Sequence, residues 1–120
     1  MKVIKKILII DDEQMITRMA AQKLRQIGFQ AFEYSSEIPT LSQIEELAPD
    51  LIIVDYSMHG VCGHQLAQVL LQNPKTQHTP IIMMSAAFLQ DSYKYFLHKP
   101  FYFSALHTMI QDIDMCINKN

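Results

Sequence analysis

The 120-residue sequence has little net charge, few cysteines and no long apolar run. A formal net charge of −2 gives no basic surface for nucleic acid or acidic membranes, so neither is expected as a partner. Cys62 and Cys116 lie far apart without metal-binding or redox spacing, which predicts reduced thiols in a cytoplasmic protein. The apolar residues 7–10 are too few for a signal-peptide core, and no run approaches the length of a membrane span.

Short apolar runs of strand length alternate along the chain with segments of helical periodicity. Three runs rich in β-branched residues predict buried strands at 7–10, 51–54 and 81–84. Weaker strands are predicted at 30–34 and 95–98. No repeat, low-complexity tract or linker interrupts this alternation, and its length fits a single domain over residues 1–120.

Apolar residues at helical spacing predict four helices between and after these strands. Their core-facing residues are expected to be Ile16, Met19, Ala20, Leu24 and Ile27; Leu41, Ile44 and Leu47; Leu66, Ala67, Leu70 and Leu71; and Leu106, Met109, Ile110, Ile113 and Ile117. Strands that alternate with helices pair in parallel, and strands without polar positions are covered on both faces. The sequence therefore predicts an α/β fold, a three-layer, doubly wound sheet of five parallel strands.

Polar side chains follow all five predicted strands, and those after the second, Ser35 and Ser36, are typical of a turn or helix cap. Asp11 and Asp12 come after the first strand, Asp55 after the third, Ser85 after the fourth and Lys99 after the fifth. In an open parallel sheet, ligands bind outside the carboxyl ends of the strands, so these side chains are expected to meet. Taken singly, each aspartate also suits a helix cap or turn, and the lysine suits a solvated surface charge.

Three carboxylates at one edge repel each other and raise each other's pKa. A hard divalent cation among them removes this conflict, and Mg²⁺ prefers oxygen ligands of this kind. A lysine and a serine hydroxyl beside the cation suit an anion. The set is typical of phosphoryl transfer, in which an aspartate is able to act as the nucleophile.

Four motifs in register make the chain similar to a known family. They are ILIIDDE at the first strand, PDLIIVDYSMHGVCG at the third, PIIMMSA at the fourth and KPF after the fifth. With these motifs the chain resembles the response regulator receiver domains of bacterial two-component signalling, the CheY-like superfamily. The resemblance covers essentially the whole chain and implies the flavodoxin-like strand order 2-1-3-4-5.

The resemblance also implies roles for the acidic residues. Asp55 would accept a phosphoryl group from a sensor histidine kinase or a histidine phosphotransfer protein. Asp12, Asp55 and the backbone carbonyl of Ser57 would bind Mg²⁺ directly, and Asp11 would act on the ion mainly through water.

Three further roles follow from the same resemblance. Lys99 would pair with the phosphoryl group, and Ser85 would donate a hydrogen bond to it. Ser85 and Phe96 would then switch between two packings and report phosphorylation to a downstream protein.

The chain departs from the family pattern at three places. Ser57 occupies a position that is variable in the family and tends to tune how long the phosphoryl group survives. His59 stands where the family usually has proline, which we interpret as a neutral substitution; the alternative is that it alters dephosphorylation or metal affinity. The stretch 85–99 lacks the usual Gly-Ala turn and is several residues short. It leaves room for only one or two helical turns between residues 87 and 94, so the fourth helix of the family is expected to be shortened, irregular or absent.

The sequence is compatible with three functions to different degrees. The first is a phosphorylation-switched receiver without an output domain, monomeric or weakly dimeric, that catalyses only transfer to and hydrolysis from its own aspartate. The second is a receiver-fold interaction module that phosphate does not switch. The third is a small phosphohydrolase, which Ser57 disfavours because that class has a second aspartate two residues after its nucleophile.

Overall fold

Five parallel strands form the main sheet of the computed structural model, which describes residues 3–58, 60–87 and 93–118. The described strands are β1 Lys6–Ile10, β2 Gln30–Tyr34, β3 Leu51–Asp55, β4 Ser57–Met58, β5 Val61–Cys62, β6 Ile81–Ser85 and β7 Phe96–His98. The described helices are α1 Gln14–Gln26, α2 Leu41–Leu47, α3 Gly63–Gln72 and α4 Phe103–Asn118. The main sheet has the order β2-β1-β3-β6-β7, while β4 and β5 form a separate antiparallel hairpin. Since β6 and β7 are the fourth and fifth strands of the main sheet along the chain, this confirms the predicted strand order 2-1-3-4-5.

Alternating side chains of the strands pack into two separate hydrophobic cores, one on each face of the sheet. Ile7 and Ile9 of β1 pack in one cluster with residues of α1 and α4. Leu8 and Ile10 pack in the other with residues of α2 and α3. The three-layer arrangement follows, because each face of the sheet is apolar and a pair of helices covers it.

Two residues expected in the core lie at the surface instead. Ile27 is 39% exposed, because α1 ends at Gln26 and the side chain of the next residue no longer follows the helical stripe. Leu71 is 50% exposed, whereas its neighbour Leu70 is fully buried. Consecutive residues of a helix point about 100° apart, so the buried stripe of α3 takes in Leu70 and leaves Leu71 outside.

Two aspartates fasten the segment that leads into β1 at the amino edge of the sheet. Oδ1 of Asp114 accepts the N–H groups of Val3 and Ile4, each at 2.7 Å. Oδ2 of Asp50 accepts those of Lys5 and Lys6 at 3.0 and 2.9 Å. A carboxylate that accepts backbone donors satisfies groups which the sheet itself leaves unpaired.

The connection from β6 to β7 spans residues 86–95. Its described parts, 86–87 and 93–95, are not helical. The shortened, irregular or absent fourth helix was expected between residues 87 and 94, and residues 88–92 of that stretch lie outside the described residues.

Among the described helices, none combines the length and the apolar character that a membrane crossing requires.

Candidate functional site

The end of β1 delivers two aspartates to the carboxyl edge of the sheet. Asp11 is completely buried, and its Oδ1 accepts the N–H of Glu13 at 2.9 Å. Its own N–H donates to the carbonyl of Tyr34 at the end of β2, at 3.1 Å. Asp12 is half-buried. The backbone of two strands therefore fixes Asp11, and its carboxylate faces the interior of the site.

Asp55 is the last residue of β3 and is only 5% exposed. The residue after it, Tyr56, donates its N–H to Met84 of β6 at 2.8 Å and accepts the N–H of Gly63 at 2.7 Å. The start of α3 thus lies directly against the end of β3. A Cβ atom at position 63 would overlap the carbonyl oxygen of Asp55, so glycine is required there. The contacts of Tyr56 with β6 and with the start of α3 fix the backbone just after Asp55, so the carboxylate of Asp55 has a defined position at the end of β3.

Asp11, Asp12 and Asp55 each present a carboxylate oxygen, and these oxygens all lie within 4.8 Å of one another. Such a set of hard, anionic oxygen donors fits Mg²⁺, which is usually held by one or two carboxylates together with water and phosphate oxygens. The structure therefore brings together the three acidic residues that the sequence placed at this edge.

Lys99 follows β7 and is 6% exposed. Its N–H donates to the carbonyl of Ser85 at 2.8 Å, which ties it to the end of β6. Its Nζ lies 2.6 Å from Oδ2 of Asp11, 3.0 Å from Oε1 of Glu13 and 3.1 Å from Oδ1 of Asp55. A buried ammonium is thus the shared counter-charge of the acidic cluster.

The electrostatics of the cluster shift three pKa values. Burial, together with the charge of Asp11, raises the pKa of Asp55 to about 6, although Lys99 opposes the shift. Burial also raises the pKa of Asp11. For Lys99, burial acts to lower the pKa, but the carboxylates of Asp11, Glu13 and Asp55 outweigh it and hold the pKa above its usual value. Lys99 is therefore charged at neutral pH, and Asp55 is mostly ionised.

The other sequence-predicted residues lie around this cluster. Ser85 is buried at the end of β6, and its Oγ accepts the N–H of Ala87 at 3.0 Å. Ser57 is exposed in the short β4, two residues beyond Asp55. Phe96 is half-buried at the start of β7 and stacks on Tyr93, with ring centroids 6.5 Å apart. His59 lies outside the described residues.

The sequence did not identify four residues near this edge. Glu13 contacts Lys99, and its signal was the third acidic residue of the ILIIDDE motif. Gly63 is the last residue of the PDLIIVDYSMHGVCG motif, and only the close approach to Asp55 reveals its importance. Nδ1 of His64 and the hydroxyl of Tyr93 form a 2.6 Å hydrogen bond, for which the sequence gives no local signal.

Several known proteins are similar to this chain. The family described as response regulator receiver domain matches residues 7–111. The chain is 35% identical over 88 residues to the phosphate regulon transcriptional regulatory protein PhoB of Pseudomonas aeruginosa, a match that covers 73% of this chain but only 38% of PhoB. It is 30% identical over 81 residues to Protein PilG of the same organism, covering 68% of this chain and 60% of PilG.

Two solved structures share the fold. The chemotaxis response regulator CheY4 of Vibrio cholerae, crystallised at pH 4.0, superposes with a TM-score of 0.83 at 21% identity, covering 92% of this chain and 99% of CheY4. The receiver domain of sensor histidine kinase PA1611 from Pseudomonas aeruginosa, with a magnesium ion coordinated in its active-site cleft, gives a TM-score of 0.74 at 20% identity and covers 90% and 95% of the two chains. The match over residues 7–111 decides the family: the chain belongs to the response regulator receiver domains.

Proposed function

We propose that this receiver domain accepts a phosphoryl group on Asp55 from a phosphohistidine of a sensor histidine kinase or histidine phosphotransfer protein. One observation carries the proposal: the Nζ of Lys99 lies 3.1 Å from Asp55 and 2.6 Å from Asp11, within a cluster of three carboxylates. A nearly buried carboxylate beside an ammonium and a set of metal-binding oxygens has the parts of a phosphoryl acceptor.

Asp11, Asp12, Asp55 and the backbone carbonyl of Ser57 would hold Mg²⁺. The ion, when bound, supplies positive charge that offsets the charge of the transferring group. The chemistry of the donor set supports this assignment, as does the magnesium ion in the PA1611 receiver domain, which shares the fold.

The carboxylate of Asp55 acts as the nucleophile. One of its oxygens forms the new bond to phosphorus as the bond from phosphorus to the histidine nitrogen breaks. A carboxylate with a pKa of about 6 is predominantly ionised at pH 7.5, so no base is needed to activate it. Lys99 neutralises charge on the phosphoryl oxygens, as a positioned lysine does in other phosphoryl transfers.

Ser85 and Phe96 then carry the change to the surface. The Oγ of Ser85 accepts the N–H of Ala87 at 3.0 Å, which leaves its O–H to donate a hydrogen bond to the phosphoryl group. Phe96 lies three residues before Lys99 on the same segment, so a shift there alters the packing of its ring. The result is a population shift between two arrangements that a downstream protein distinguishes.

A second candidate, an interaction module that phosphate does not switch, is favoured by one observation. The sequence from Ser85 to Lys99 is several residues shorter than in the family, and its described parts, 86–87 and 93–95, contain no helix. The carboxylate oxygens of Asp11, Asp12 and Asp55 lie within 4.8 Å of one another, and Lys99 lies 2.6 Å from Asp11, which favours the phosphorylated receiver instead.

The test is intact-protein mass spectrometry after incubation with Mg²⁺ and acetyl phosphate. We expect one phosphoryl-sized increase for the wild type and none for Asp55→Asn. The exposed Asp112 of α4 supplies a matched control, so Asp112→Asn should behave as the wild type. No increase in the wild type, with beryllofluoride also failing to bind in the presence of Mg²⁺, would favour the unswitched module.

A further inference from the structure

Lys99 carries one positive charge but contacts three carboxylates. An ammonium group has three N–H donors. Asp11, Glu13 and Asp55 each have an oxygen within 3.1 Å of its Nζ, so every donor has a carboxylate partner. A phosphoryl group that needs Lys99 therefore arrives at an ammonium that is already fully engaged.

The three partners differ in how easily they give up the contact. The side chain of Asp11 is completely buried, and that of Asp55 is 7% exposed. The side chain of Glu13 is 61% exposed. A buried carboxylate that loses its contact with Lys99 has neither a counter-charge nor water around it, which is unfavourable in free energy. An exposed carboxylate is hydrated again when it leaves Lys99. Glu13 is the partner that exchanges at the lowest cost.

Phosphorylation supplies the reason for an exchange. A carboxylate of charge −1 at Asp55 becomes an acyl phosphate of charge close to −2, so negative charge accumulates around Lys99. The cluster relieves this charge most easily by releasing its most exposed carboxylate to solvent.

The local structure around Glu13 suits such a movement. Its backbone N–H is fixed by Oδ1 of Asp11 at 2.9 Å, so the residue itself stays in place. Glu13 is also the N-cap of α1, yet its side chain makes no capping hydrogen bond there. A negative charge beside the start of a helix is favourable, so the released side chain has a suitable place to go.

We propose that Glu13 is a positioning residue that holds Lys99 in the unphosphorylated protein and releases it when Asp55 is phosphorylated. This inference rests on the proposed function, because the exchange has no cause without a phosphoryl group. Glu13 restrains the reaction: it occupies one donor of Lys99 and thereby slows the uptake of phosphate. The released carboxylate also changes the surface at the start of α1, where Met15 is 86% exposed.

The test compares rates of phosphoryl uptake from acetyl phosphate and Mg²⁺ in wild type, Glu13→Gln, Glu13→Asp and Glu46→Gln. Glu46, an exposed glutamate of α2, is the matched control and should leave the rate unchanged. Glu13→Gln removes the charge, and we expect uptake about two- to fivefold faster, the range for loss of a partly exposed ion pair. Glu13→Asp keeps the charge but is one methylene too short to reach Lys99, so it should match Glu13→Gln.

A second readout follows the side chain of Glu13 itself. In protein with ¹³C-labelled glutamate, the carboxylate signal absent from Glu13→Gln identifies Glu13. Addition of Mg²⁺ and beryllofluoride to the wild type should move that signal toward the position of a solvated glutamate. A merely structural contact leaves the signal where it was.

Three results overturn the inference: an unchanged or slower rate in Glu13→Gln, a wild-type rate in Glu13→Asp, or an unmoved signal. If the wild type takes up phosphate and any of these occurs, only the role of Glu13 is wrong. If the wild type takes up no phosphate from acetyl phosphate and also fails to bind beryllofluoride with Mg²⁺, the proposed function fails and the role of Glu13 fails with it.

Discussion

The carbonyl oxygen of Asp55 lies against the Cα of Gly63, in the space that a side chain at position 63 would fill. A Cβ atom there would also lie 2.9 Å from the carbonyl carbon of Asp55 and 3.0 Å from the Cα of Tyr56. All three atoms belong to backbone, which cannot turn aside as a flexible side chain does. The first turn of α3 therefore packs this closely against the end of β3 only because residue 63 has no side chain.

Gly63→Ala should separate α3 from the end of β3. We expect a loss of about 1–3 kcal/mol in the free energy of unfolding, typical of overpacking, and slower phosphoryl uptake because Asp55 shifts relative to Lys99. Urea denaturation and mass spectrometry with acetyl phosphate measure the two effects. Gly28→Ala is the control: Gly28 has a φ of +104° and open space, so that variant should lose stability without loss of uptake rate.

Asp55→Asn should stabilise the metal-free protein in a pH-dependent way. The pKa of Asp55 is raised from 3.8 to about 6 in the folded state, so the ionised carboxylate opposes folding above pH 6. This unfavourable contribution disappears as the pH falls from 6 toward 4. In EDTA at pH 7.5, the free energy of unfolding of Asp55→Asn should therefore be about 1–3 kcal/mol higher than that of the wild type. This difference should shrink toward pH 4. Parallel stability curves for the two proteins would contradict this.

Addition of Mg²⁺ should raise the melting temperature of the wild type. A ligand that binds only the folded state stabilises it by about 2.7 kcal/mol at one hundred times its Kd. Asp12→Asn should lose most of this response, since it removes one of three carboxylates whose oxygens lie within 4.8 Å of one another. Asp112→Asn should keep it. An equal response in Asp12→Asn would remove Asp12 from the metal site.

The hydrogen bond between His64 and Tyr93 should contribute about 1 kcal/mol to stability. Tyr93→Phe deletes the hydroxyl and keeps the ring, which lies 6.4 Å from that of Tyr56 and stacks on Phe96. A double-mutant cycle with His64→Ala isolates the pair, and we expect the two changes to be non-additive by that amount. Additive effects would show that the contact carries no free energy of its own.

The sheet and its edge were predictable because they depend on short-range patterns. Buried parallel strands appear as apolar runs, and the residues that end them, such as Asp55 and Lys99, are then placed by the rule that parallel strands share one carboxyl edge. The strand order followed from the family resemblance, and the structure confirms it.

What the sequence did not reveal depends on distance along the chain or on very short elements. Glu13 and Lys99 are 86 residues apart, and His64 and Tyr93 are 29 apart, so no local pattern links them. The strands β4 and β5 have two residues each, too few for a period-two signal. Leu70 and Leu71 are both apolar, so the sequence alone did not indicate which of the two lies on the buried stripe of α3 and which is exposed.

The carboxylates at the two edges of the sheet have different partners: backbone N–H groups at the amino edge and the ammonium group of Lys99 at the carboxyl edge. Asp50 and Asp114 each accept two backbone N–H groups at the amino edge, so their charge is committed to holding the chain in place. Asp11 and Asp55 share the single cation of Lys99 at the other edge. A mutational scan of the aspartates should therefore separate into two groups. We expect loss at Asp50 or Asp114 to lower the yield of folded protein, and loss at Asp55 to leave a folded protein that takes up no phosphoryl group.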